Sequence, residues 1–110
     1  MNRGAAAEAL AARFLASRGL TIVGRNYRCR GGEIDLIALE RDTLVFVEVR
    51  LRSNDAFGGA RASITAAKRR RLERAAGHYL ARIGREPPCR FDAILLDALD
   101  SEHIEWVKNV

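Results

Sequence analysis

Two apolar runs in the middle of this chain carry acids where a half-buried strand ordinarily places valine or threonine. They read Gly32-Glu33-Ile34-Asp35-Leu36-Ile37-Ala38 and Val45-Phe46-Val47-Glu48-Val49-Arg50. Arg41-Asp42 between them suits a two-residue hairpin loop, which sets Glu40 opposite Thr43. Counting outward, Asp35 then faces Glu48, and Glu33 faces Arg50. Residues opposed in an antiparallel pair hold their Cβ atoms ~4.5–5.5 Å apart, and like charges in that relation destabilise the sheet. At an effective dielectric of about 20, two carboxylates ~5 Å apart repel by about 3 kcal/mol, more than the roughly 0.2–1 kcal/mol a good cross-strand pair returns. A divalent cation held by both carboxylates offsets that repulsion, and Mg2+ and Mn2+ prefer such hard oxygen ligands. So does an ion pair to Arg50, two residues along the face from Glu48, or protonation or solvation of one acid. The residues by themselves leave metal site and structural ion cluster both open.

Glu8 precedes Ala11, Ala12 and Leu15 by one to two helical turns and borders the face that a first helix would bury, from which a carboxylate can reach an adjoining sheet. An acid early in a helix is also at home in solvent, where the helix dipole favours it. A second helical stripe, Ile64, Leu72, Ala75, Ala76, Tyr79 and Ile83, includes Lys68 one turn before Leu72. Its ammonium either snorkels to solvent over a buried stem or points at the acids of the sheet. Arg69, Arg70 and Arg71, with Arg74 and His78, spread over the exposed side of that helix, as a phosphate-binding surface or a solvated basic face. Arg52 and Arg61, in the segment between the second acidic run and the helix, extend the candidate nucleic-acid-binding set. No glycine-rich phosphate loop and no Ser-His-Asp or Cys-His arrangement occurs, so P-loop hydrolysis and covalent acyl chemistry are unsupported.

The elements that must position these residues are readable from pattern. Asn2 to Arg18 forms a first helix, with Asn2 as its cap and Gly19 where it ends. Leu20 to Arg28 is a strand, followed by a turn at Gly31-Gly32 and the acid-bearing hairpin at 33–40 and 43–51. A polar segment containing Gly58-Gly59 leads to Ser63 or Thr65, either of which can cap a helix running to Ile83, before Gly84 and Pro87-Pro88. Arg90 to Leu99 is a further strand, and His103 to Val107 a short last one. Helix, three strands, helix, two strands predicts an α/β sandwich, a mixed sheet flanked by helices.

With 110 residues, 48% hydrophobic and 30% charged, the chain has the balance of one globular domain spanning 1–110. No apolar run approaches the ~20 residues of a membrane span, and Glu8 and Arg13 interrupt the alanine-rich start, so neither a membrane anchor nor a signal peptide is expected and a cytoplasmic location is the default. Cys29 and Cys89 are too few for a disulfide framework and lack zinc-site spacing. Nineteen Lys plus Arg against fourteen Asp plus Glu give a net charge of +5, which favours polyanionic partners. Aromatic residues are only 6% of the chain, too few for a single-strand stacking platform, so duplex or branched nucleic acid gripped through its phosphates is the better match.

Taken together, Glu8, Gly32-Glu33-Ile34-Asp35-Leu36-Ile37, Phe46-Val47-Glu48-Val49-Arg50, Lys68 and Arg90-Phe91-Asp92 resemble the YraN family of small bacterial proteins. That family is similar to archaeal Holliday-junction resolvases and, more broadly, to the PD-(D/E)xK nuclease superfamily. The likeness runs over nearly the whole chain and implies a restriction-endonuclease-like, resolvase-like fold. It implies Asp35 and Glu48 as ligands of Mg2+ or Mn2+, with the Val49 backbone carbonyl as a third, and Glu8 as an auxiliary acid. A metal there would acidify a bound water and offset charge on a phosphate, giving phosphodiester hydrolysis. Resolvases act as two-fold dimers, so the resemblance also implies a homodimer on DNA, branched DNA included. Position 50 departs from the pattern, which wants lysine: arginine stays charged and cannot act as a general base, though it can stabilise an anionic phosphate. The expected catalytic set is therefore Glu8, Asp35, Glu48 and Arg50, with Lys68 supplying the missing ammonium. The alternatives are a nucleic-acid-binding module that keeps the fold and cuts nothing, which Arg50 favours, and a protein-interaction adaptor.

Overall fold

The computed structural model describes residues 3–51, 65–100 and 102–110. Helix α1 (Arg3–Ser17) leads into three consecutive strands, β1 (Thr21–Cys29), β2 (Gly32–Glu40) and β3 (Thr43–Leu51). Helix α2 (Ala66–Ile83) then connects to β4 (Cys89–Leu96) and β5 (Ile104–Val107). The strands form one sheet in the order β1-β2-β3-β4-β5. The β3/β4 pair is parallel and the other three are antiparallel, so α2 lies in the single crossover connection and the sheet is mixed, as predicted.

Local chemistry explains the boundaries. Gly19, at φ +92°, ends α1: its N–H donates to Ala16 O at 3.1 Å and the Leu20 N–H to Leu15 O at 3.1 Å, the paired bonds of a Schellman motif, with Leu20 buried behind them. Thr65 caps α2, its hydroxyl accepting the Lys68 N–H at 3.2 Å, and Gly84 closes the helix at φ +73°. The cap expected at Asn2, the stripe residue Ile64 and the segment holding Arg52 and Arg61 lie outside the described residues. Strand β4 stops at Leu96 and not at Leu99, because the Asp97 N–H turns to His103 O (3.1 Å) and Asp100 Oδ1 accepts the Glu102 N–H (2.9 Å), bonds that turn the chain back toward β5.

Each face of the sheet carries one helix. Ala7, Ala11, Ala12 and Leu15 of α1 pack on Leu36, Ala38, Val45, Val47, Ile94 and Leu96, the small alanines allowing a close approach. Leu72, Ala75 and Ala76 of α2 pack on Ile34, Ile37, Leu44 and Phe46. Strand β3 thus alternates cleanly between the two helices, which is why it reads as a continuous apolar run. Helix α2 crosses β2 so tightly that a Cβ on Gly32 would stand 2.4 Å from Arg71 O and 2.9 Å from Ala75 N. The Tyr27 hydroxyl and His78 Nδ1, 2.6 Å apart, tie the same helix to β1.

In the middle of β4, beside Val47, Asp92, fully buried, accepts from Arg90 Nε (3.1 Å to each oxygen), Trp106 Nε1 (2.9 Å) and the Asn109 N–H (3.1 Å). Arg90 also pairs with Glu40, so β2, β4, β5 and the C-terminal residues share one charge network. Cys29 and Cys89 are free thiols, the second exposed. Among the described residues no helix is long and apolar enough to cross a membrane.

Candidate functional site

The β2/β3 hairpin turns at Arg41-Asp42, with Arg41 at φ +54°, and pairs Glu40 with Thr43. The ladder continues without a slip to Leu36 and Val47 and ends there. Hydrogen-bonded pairs alternate with non-bonded ones, so counting from Glu40 and Thr43 the next bonded pair would join Ile34 to Val49. The Val49 N–H donates to Asp35 Oδ2 at 2.8 Å. A carboxylate has taken the place of a backbone carbonyl in the ladder, and beyond it the strands are no longer paired. The face alternation of β2 slips at the same place. Gly32 and Ile34 sit against α2, as do Ile37 and Leu39, whereas Leu36 and Ala38 sit against α1. The cross-strand pairs expected for Asp35 with Glu48 and for Glu33 with Arg50 are therefore not ladder partners, because pairing stops one step before them.

The two acids nevertheless share a field. Burial raises the Asp35 pKa from 3.8 to about 6, against the pull of the Val49 N–H, and the charges of Glu8 and Glu33 push it the same way as burial. Glu48 rises from 4.5 to about 7, first through burial and then through the charge of Asp35, while Arg50 and Lys68 draw it down. Helix α1 thus brings Glu8, half-buried beside Ala7, within electrostatic reach of Asp35. Near neutral pH the pair resists full ionisation unless a cation joins it.

Glu33, Glu48, Arg50, Lys68 and Arg71 line an open cleft of about 120 Å3. Of the two placements open to Lys68, this is the one over the acids. The first turn of α2 contains no acid and carries Lys68 and Arg69, with Arg70 next, against the preference of a helix start for negative charge, worth about 0.3–1 kcal/mol per group. The carboxylates of the sheet compensate. Burial and then the neighbouring Arg50 lower the Lys68 pKa, while Glu48 and Asp35 pull it up. Arg69 lies half-buried, 3.7 Å from Glu73, with its guanidinium carbon 5.8 Å from the Phe91 ring centroid; Arg70 and Arg71 are exposed.

Two acids were not singled out as site residues by pattern. Glu33 lies in the cleft and pairs with Arg28 Nε at 3.6 Å and Arg71 Nη2 at 3.5 Å. The β1/β2 register, which sets Arg28 opposite Glu33 across the tight Gly31 turn, was the available signal. Asp92 was legible only as part of a motif. Its spacing of two from Arg90 in an apolar strand puts both on one side, where they pair. Among the described residues no group of three or more His, Cys, Asp or Glu assembles as a metal site, so acidic ligation would rest on Asp35 and Glu48.

The sequence model described as "Uncharacterised protein family UPF0102" matches residues 7–96, a span that contains Glu8, Asp35, Glu48, Arg50 and Lys68. A UPF0102 protein of Nitrosomonas europaea is 58% identical over 108 residues, covering 98% of this chain and 92% of its own length. Another from Methylobacillus flagellatus is 57% identical over 103 residues, covering 94% of this chain and 90% of its own. A third, from Cupriavidus metallidurans, is 56% identical over 109 residues, covering 98% of this chain and 79% of its own. On this match, which takes in both helices and the sheet through β4, the chain belongs to the UPF0102 family, the YraN family that its motifs resemble.

Proposed function

We propose that this protein binds double-stranded or branched DNA over the basic side of α2 and hydrolyses phosphodiester bonds at Asp35 and Glu48 with Mg2+ or Mn2+. The observation that carries the proposal is the Asp35 carboxylate in the β2/β3 ladder at Val49, beside a second acid, Glu48, whose pKa is raised with its own. Two carboxylates with an excess of negative charge, one edge open to a cleft, are a donor set that suits a hard divalent ion retaining several waters. The Val49 carbonyl points to the same strand edge as its N–H, toward the opened gap, and is available as the third protein ligand. A bound ion would supply Lewis acidity toward the phosphate and a more acidic water.

The chain's own residues do the rest. Lys68 from α2 and Arg50 from β3 line the cleft and balance a phosphate's charge there; Lys68, with its lowered pKa, is the group able to exchange a proton, which Arg50 is not. Arg69, Arg70 and Arg71 present further cations along α2 for neighbouring phosphates. Glu8 adds negative charge beside Asp35 and favours cation uptake.

Arg50 favours a second reading, a DNA-binding module that cuts nothing. Cleavage assays on linear, flapped and four-way DNA with Mg2+ and with Mn2+ separate the two. Metal-dependent cutting that Asp35→Ala abolishes and Lys68→Ala reduces at least tenfold supports the nuclease, since a positioned proton-transfer group is typically worth ~10²–10⁴ in rate. Binding without cutting on every substrate supports the module. Absence of binding even at low salt sinks both.

A further inference from the structure

Glu33 has no part in the chemistry above, and it adds a third negative charge to the field of Asp35 and Glu48. What holds it is a pair of arginines from two different elements. Arg28 on β1 approaches one carboxylate oxygen at 3.6 Å, and Arg71 on α2 approaches the other at 3.5 Å. Both pairs are exposed, with side-chain exposures of 72% and 58% for the arginines and 41% for Glu33, so water competes for them and they are readily exchanged. Glu33 and Arg71 line the same cleft as Glu48, Arg50 and Lys68.

A carboxylate and a phosphodiester carry the same single charge and offer a guanidinium the same two-oxygen geometry. We infer that Glu33 is an internal stand-in for a DNA phosphate: it occupies Arg28 and Arg71 in the free protein and gives them up when the backbone enters the cleft. The inference rests on the DNA-binding reading and deepens it by naming the phosphate-binding residues that the free protein keeps masked. A phosphate that reaches Arg28 and Arg71 displaces Glu33, and the freed carboxylate beside it takes up a cation, so engaging these arginines releases less net salt than engaging bare arginines does. Glu33 thereby weakens indiscriminate binding, and a backbone is gripped by Arg28 and Arg71 only when it is seated deeply enough to displace the carboxylate.

The test is fluorescence anisotropy with a labelled DNA duplex in EDTA across a salt series. Glu33→Gln should tighten binding on the order of fivefold at low salt and steepen the log K against log salt slope by about 1, the one cation that the displaced Glu33 otherwise takes up. Glu102→Gln, the same charge change in the exposed turn between β4 and β5, sets the effect of net charge alone and should fall well short of it. In an Arg28→Ala/Arg71→Ala background the Glu33→Gln gain should shrink to the Glu102→Gln value. Glu33→Ala is a second neutral variant, and circular dichroism melts show that each variant is folded. A Glu33→Gln gain no larger than that of Glu102→Gln, or one that survives loss of both arginines, overturns the inference while the wild-type binding curve leaves the DNA reading standing. No binding by wild type or any variant at low salt overturns both.

Discussion

Replacing Asp35 by asparagine removes one of the crowded charges and keeps an amide oxygen to accept the Val49 N–H, so the fold's local hydrogen bond survives. The consequence should depend on pH in one direction. Asp35 titrates at about 6 instead of 3.8, and Glu48 at about 7 instead of 4.5. Between those values the unfolded chain has released protons that the folded chain still holds, so raising the pH favours unfolding. The penalty is absent below about pH 4, grows from there to pH 7, and is complete above it. At roughly 1.4 kcal/mol per pKa unit the Asp35 shift corresponds to ~3 kcal/mol. The larger part of the Glu48 shift is its own burial, which both proteins share and which cancels in their comparison; the part that comes from the charge of Asp35 adds to the effect, screened by water in the open cleft. Unfolding entropy of ~2.1 cal/mol/K per residue over 110 residues makes ~3 kcal/mol equivalent to ~13 °C in Tm.

Thermal melts of wild type and Asp35→Asn in EDTA at pH 5, 6.5 and 8 measure this. The variant should exceed wild type by ~13 °C at pH 8; a little over half of the penalty is already expressed at pH 5, so the advantage grows by ~6 °C between pH 5 and 8, most of it below pH 6.5. Glu40, Asp100 and His103 also titrate with shifted pKa values, but identically in both proteins, so the difference between the melts isolates the site. A difference that does not change with pH, or a variant less stable than wild type at pH 8, refutes the electrostatics. Mg2+ at ~100 times its dissociation constant should then restore ~2.7 kcal/mol to wild type at pH 8 and nothing to the variant. The pH effect without the Mg2+ effect would make the two acids a structural cluster.

Two substitutions away from the acids test how the site is held. Asp92→Ala leaves Arg90 and the Trp106 N–H without their buried acceptor and should cost ~3–5 kcal/mol in urea unfolding, with no effect on any Mg2+-dependent stabilisation that remains measurable. Gly32→Ala forces the Arg71 backbone away from β2 and should cost ~1–3 kcal/mol in the same measurement, while lowering DNA affinity in anisotropy because Lys68 and Arg71 move off the cleft.

The hairpin register was readable because a two-residue turn between two apolar runs leaves little freedom, and Glu40 does pair with Thr43. Helix ends were readable for the same kind of reason: Gly19, Thr65 and Gly84 occupy the positions their backbone chemistry favours. The end of the ladder at Leu36 was not readable. Whether Val49 donates to a carbonyl or to the Asp35 carboxylate is a competition between two acceptors of one N–H, and periodicity carries no information about its outcome. Nor could spacing show that Glu33 turns from Arg50 to Arg28 and Arg71, since those partners come from β1 and from α2. Lys68 could be placed on the packing face of its helix but not aimed. Its direction depends on how closely α2 approaches β2, and Gly32 sets that distance.

The two acid clusters of the sheet show why residue type is a poor guide to which acid is available for chemistry. Asp92 is the more buried carboxylate, yet its oxygens are filled by Arg90, Trp106 and the Asn109 N–H, and Arg90 in turn holds Glu40. Both Asp92 oxygens have donors, although Arg90 Nη2 is buried without an acceptor among the described residues, and the network locks β2 to β4 and β5. Where β2 and β3 part, Asp35 receives the Val49 N–H, and both it and Glu48 are pushed toward the protonated form. Topology supplies the difference. The parallel β3/β4 crossover sets the start of α2 over the C-terminal end of β3, and antiparallel β2 delivers Asp35 to that same end. Acids short of donors therefore meet a helix terminus whose first turn is basic, and the charge that neither side can satisfy within the fold is what a cation and a phosphate would complete.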